Sequence, residues 1–142
     1  MTDDTMTEIN ADQIHEILVE EGYEVVSTSD PNTFQVRDLE SGLTITCVLA
    51  ENILFNTLPC FTMSTDKISL ELTKLLLDAS NGISTSAFQL YANGDRTQVT
   101  LNNFCKLLDL GPEDRDDILS CVTFLEVDAM AARQLLADIV ES

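Results

Sequence analysis

The feature that most limits what this chain can fold into is a change of hydrophobic period at Gly22. Before it, Ile9, Ile14, Ile17 and Leu18 recur at helical spacing, which predicts a first helix from about Ala11 to Glu21, with Asn10 as an N-cap. Glycine at the C′ position accepts the left-handed turn that ends such a helix. After it the period is two. Strands are predicted over Tyr23–Thr28, Thr33–Asp38 (Phe34 and Val36 on one face) and Leu43–Leu49 (Leu43, Ile45, Cys47 and Leu49 alternating with threonines). A fourth is predicted from Ile53 to about Thr62, broken at Pro59, because proline cannot donate to a ladder. Short turns at Ser29–Asn32, Glu40–Gly42 and Glu51-Asn52 make these four strands an antiparallel meander.

The helical period then returns. Ile68, Leu72, Leu75, Leu76 and Ala79 build one apolar face, with Ser64, Thr65 and Asp66 offering cap oxygens and Asn81-Gly82 ending the helix. Thr85–Ala92 and Thr97–Lys106 read as a hairpin around Asn93-Gly94, a favoured type I′ pair. Gly111-Pro112 opens a last helix, which would span about 30 residues and roughly 45 Å if continuous to Glu141. That length predicts either a break near Asp128 or an extension onto a second subunit. The expected fold class is α+β, an antiparallel sheet in the order α-β-β-β-β-α-β-β-α. The 142 residues suit a single domain, with residues 1–9 frayed.

The charge limits the partners. Twenty-five acids against seven bases give a net charge of −18. The acids concentrate at the ends: residues 1–30 hold nine and no Lys or Arg, and residues 109–142 hold nine against Arg115 and Arg133. Such a surface repels nucleic-acid phosphates and anionic lipid and leaves basic or amphipathic polypeptides as partners, with solubility alone as the plainer reading. No apolar run is long enough to span a bilayer, and the N-terminus has no signal-peptide pattern, so a reducing cytoplasm is expected.

No catalytic or metal constellation emerges. Cys47, Cys60, Cys105 and Cys121 form no C-x-x-C pair and lie in apolar runs, as small buried hydrophobes do. His15 is the only histidine and has no evident partner for acid–base work. The run Glu113-Asp114-Arg115-Asp116-Asp117 lacks calcium-loop spacing and reads as a solvated, dipole-matched helix start. No enzyme activity and no cofactor are expected. Phe55, Leu58 and Phe61 stand out instead, because Ile53–Met63 is apolar on both strand faces. They are candidate interface residues, with burial beneath the protein's own helices as the plainer reading.

Four stretches carry a resemblance: the helix-Gly-aromatic start Ile14–Tyr23; the meander end Asn52-Ile53-Leu54-Phe55; the run Leu75-Leu76-Leu77-Asp78-Ala79-Ser80-Asn81; and Ala87-Phe88-Gln89-Leu90 with Asn93-Gly94 before the long last helix. In these the chain resembles the YbjN family, whose fold is like that of type III secretion chaperones, over about residues 10–138. The resemblance implies a cytoplasmic, dimeric, non-enzymatic protein that binds polypeptides as a chaperone or as a regulator of sensory transduction. It supplies no catalytic residues. A small-molecule or metal-ion sensor domain is the rival reading.

Overall fold

A computed structural model describes residues 9–83 and 85–141. The elements are α1 (Ala11–Glu20), β1 (Glu24–Ser27), β2 (Thr33–Arg37), β3 (Thr44–Ala50), β4 (Ile53–Ser64), α2 (Leu70–Leu77), β5 (Ala87–Asn93), β6 (Arg96–Lys106) and α3 (Pro112–Glu141). This is the expected α+β order. The strands form one six-stranded sheet in the order β1-β2-β3-β4-β6-β5, and the pairings of β1 with β2, β2 with β3 and β5 with β6 are antiparallel. The chain divides into two compact units, residues 1–56 with 104–122 and residues 57–103 with 123–142.

In the first unit α1 begins with a full capping box: Asn10 accepts from the Gln13 amide at 3.0 Å, and Gln13 accepts from the Asn10 amide at 2.9 Å. It ends in a Schellman arrangement. The Gly22 amide donates to Val19 and the Tyr23 amide to Leu18, with Gly22 at φ +98°. The sheet residues bury alternately, as the period of two requires. Phe34 faces Cys47 and Val36 faces Ile45 across β2 and β3, and all four are at most 2% exposed. With Ile14, Leu18, Leu54, Leu107 and Ile118 they make the core of this unit.

In the second unit Met63, Leu72, Leu76, Val99 and Leu136 form one cluster, with Phe61, Ile68, Leu75, Phe88 and Leu135 packed against it. A single 3₁₀ turn, Thr65–Lys67, precedes α2. The helix cap is Ser69, which accepts the Leu72 amide at 3.1 Å, and none of the three cap oxygens expected upstream. The 3₁₀ turn takes up residues 65–67, so the open amides of α2 first appear three residues later.

Three further expectations are corrected. First, β4 runs through Pro59 to Ser64. Along it Leu54, Asn56 and Leu58 are buried, then Met63, so the buried parity changes from even to odd beyond Pro59. A strand that shifts phase there tolerates one missing donor. Second, the hairpin pairs Asn93 with Arg96, leaving Gly94-Asp95 as the central residues. Only Gly94 takes a positive φ, +66°, which is the II′ arrangement. Thr65 holds this turn, its amide donating to the Asp95 carbonyl and its hydroxyl to that of Gly94. Third, α3 is continuous and has no break at Asp128. That carboxylate is 1% exposed and accepts the Ser86 amide at 3.2 Å.

Candidate interaction surface

The three residues singled out on β4 meet different fates. Leu58 is 1% exposed and belongs to the core. Phe61 packs against the cluster of the second unit. Phe55 is 43% exposed, and its ring lies 6.1 Å from that of Phe104 on β6, itself 64% exposed. Burial alternates with strand parity, so Leu54 turns in while Phe55 turns out. Phe104 had no signal of its own in the sequence. It sits among alternating residues of a strand whose partner only the sheet order reveals. Val48, on the neighbouring strand β3, is 39% exposed. Two large rings left in contact and open to water on a sheet face are the kind of surface that proteins cover with a partner.

The acids of unit one are partly organised. Arg115 donates to Glu20 at 2.9 Å, and Glu21 lies 3.7 Å away, an arrangement that raises the already high pKa of the guanidinium. The expected solvated run at the start of α3 is corrected at one residue. Glu113, Asp116 and Asp117 are exposed, but Asp114 is 3% exposed. Its Oδ2 accepts the amides of Leu108, Asp109 and Leu110 at 2.7, 2.9 and 2.7 Å. The chain before the helix wraps this oxygen, and Leu110 takes φ +58° to do so.

Three cysteines lie in unit one. Burial pushes the Cys47 thiol well above its ordinary range, and neighbouring Cys121 adds to the effect. Cys105 and Cys121 share a hydrogen bond that raises the first and lowers the second. In unit two, burial pushes Cys60 up to about 11, with Arg133 and the Leu101 amide acting against it. Iodoacetamide at mildly alkaline pH should therefore label Cys121 first, Cys60 slowly, and Cys47 and Cys105 last, as peptide mass mapping would read. The Cys60 shift also makes stability depend on pH. With an ordinary value of 9.0, the thiol favours the folded state below pH 9, and that contribution is lost as pH rises towards 11. Denaturant midpoints should fall over this window, and less so in Cys60→Ala.

His15 is mostly buried, its ring edge-to-face with Phe34 at 4.5 Å and its Nδ1 4.0 Å from Asp12. It lines a cleft of about 250 Å³ with Asn10, Asp12, Thr28, Asp30 and Asn32. Among the described residues no group of three or more His, Cys, Asp or Glu could hold a metal ion, and no helix is long and apolar enough to cross a membrane.

No protein-family model and no curated protein matches the sequence. Among solved structures the chain is similar to YbjN of E. coli, described as a candidate transcription regulator. The TM-score is 0.67 at 11% identity, over 92% of this chain and 93% of that one. The fold is therefore YbjN-like.

Proposed function

We propose that this chain is a non-enzymatic protein-interaction module, regulatory or chaperone-like, that binds a basic, amphipathic polypeptide segment. The observation that carries the reading is the Phe55–Phe104 pair, open on a sheet face of a chain with net charge −18. The rings supply an apolar anchor, and the acids supply long-range attraction and orientation. The similar E. coli protein is described as a candidate transcription regulator. In a chain this acidic such a role fits contact with another protein better than contact with DNA, whose phosphates the charge repels. The same charge argues against anionic membranes as partners. The cysteines of the described residues form no disulfide, which fits the cytoplasm. A homodimer completes the proposal. The interface residue carried forward from the sequence is Phe55, now with Phe104, while Leu58 and Phe61 serve the core.

The test is fluorescence anisotropy with a labelled peptide that alternates lysine and leucine at helical spacing. Binding should weaken roughly tenfold or more in Phe55→Ser with Phe104→Ser, and again when salt is raised several-fold. Equal binding of an acidic peptide of the same apolar content would sink the reading. The cleft at His15 favours the sensor alternative. It is smaller than most ligand pockets, which start at about 300 Å³. A thermal shift with a metabolite and divalent-cation panel decides it: a ligand at a hundred times its dissociation constant adds about 2.7 kcal/mol to the folded state.

A further inference from the structure

The two edges of the sheet are built differently. The β1 edge is four residues long and carries Glu24. Short, charged edges are how proteins keep strands from pairing with other chains. The β5 edge, Ala87–Asn93, is seven residues with no charge, no proline and no glycine, in a chain of net charge −18. All of it except Phe88 is exposed, Leu90 at 41% and Tyr91 at 50%.

The register shows what this edge offers. Asn93 and Arg96 close a two-residue turn and so exchange hydrogen bonds, and in an antiparallel ladder such pairs alternate with pairs that do not. Asn93, Tyr91, Gln89 and Ala87 therefore spend their amides and carbonyls on β6. Those of Phe88, Leu90 and Ala92 point to the open edge.

We propose that β5 is a self-pairing edge, joined antiparallel to β5 of a second copy about a two-fold axis at Leu90. This rests on the dimer of the proposed function and names its interface. With that centre Leu90 meets Leu90, and Phe88 meets Ala92 of the second copy. The residues with free backbone groups fall opposite one another, giving six ladder hydrogen bonds. Gln89 faces Tyr91 of the second copy, with matched chemistry, since within one chain the Tyr91 hydroxyl already donates to Gln89 at 2.7 Å. The charge pattern selects this occupant. No charge lies on β5, and Asp95 and Arg96 at the turn fall beyond Ala87 of the second copy, near its uncharged Thr85 and Ser86. A basic client strand would find no acid on this edge, and two −18 chains meet here without opposed charges. Their remaining repulsion is long-range, so added salt tightens the dimer.

The test is light scattering behind a sizing column across a dilution series, with two variants whose folding is checked by circular dichroism. Leu90→Pro removes a donor that β6 does not use. Leu90→Lys sets like charges opposite each other at the axis. The wild type should be a dimer that tightens with salt. Both variants should stay folded, and each should need at least about tenfold higher concentration to dimerise. Amide exchange in the wild-type dimer should protect Phe88, Leu90 and Ala92. A wild-type monomer at all concentrations, or a dimer indifferent to both variants, overturns the proposal. So does a monomer whose three edge amides become protected only when the lysine–leucine peptide is added. Peptide binding lost on changing Phe55 and Phe104 is a separate readout, so failure here leaves the proposed function standing.

Discussion

Leu58→Asp should leave the chain largely unfolded, while Phe55→Asp, three residues earlier on the same strand, should melt close to the wild type. Leu58 is 1% exposed, so the replacement gives up about 2–3 kcal/mol of apolar burial and buries a carboxylate. Together these exceed about 4 kcal/mol, a large part of the 5–15 kcal/mol that holds a typical domain together. Phe55 is 43% exposed, and an aspartate there reaches water. Its cost should stay within about 1 kcal/mol, mostly the lost contact with Phe104. Urea denaturation followed by circular dichroism separates the two. Similar midpoints for both variants would mean that the alternation of β4 is not as described. Leu58→Ala, expected to cost about 2–5 kcal/mol, keeps the comparison quantitative if the aspartate variant cannot be purified.

Asp114→Ala should cost about 3 kcal/mol or more. Three amides on consecutive residues converge on one carboxylate oxygen, and the side chain is almost fully buried. Hydrogen bonds to a charged group contribute about 1.5–3 kcal/mol each, but three that share an acceptor do not add fully. Removing the acceptor strands the donors beside a loop already bent through a positive φ at Leu110. Asp114→Asn keeps one acceptor oxygen and loses the charge, so it should fall between wild type and alanine. Asp116→Ala, in the same acidic run but exposed, should change the urea midpoint little. If all three variants unfold alike, the wrapped carboxylate contributes nothing beyond helix-end charge.

The two cases show how far the sequence could be read. The run from Glu113 to Asp117 displays five charged residues, and nothing local tells which one turns inward. Asp114 does so because residues 108–110, between β6 and α3, bring their amides round to it. Leu58 and Phe55 have the same kind of local surroundings, and the apolar content of Ile53–Met63 gave no parity by which to sort them. Phe104 looked like one more residue of an alternating strand until the sheet placed β6 beside β4. The hairpin tip shifted by one residue for a similar reason: Asn-Gly is a strong local signal, but the Thr65 contacts to Gly94 and Asp95 settle the register from outside.

What the sequence determined by itself is what short-range physics carries: the period of each segment, the Asn10 cap and Gly22 stop of the first helix, the proline start of the last, the order of the elements and the placement of charge. Each depends on residues within a few positions of one another. Only the tertiary structure decided the strand order that inserts β6 between β4 and β5, the face each β4 residue takes, the passage of β4 through Pro59, and the edge left open at β5. Those depend on contacts between residues tens of positions apart, where burying apolar surface and satisfying backbone groups outweigh local preference.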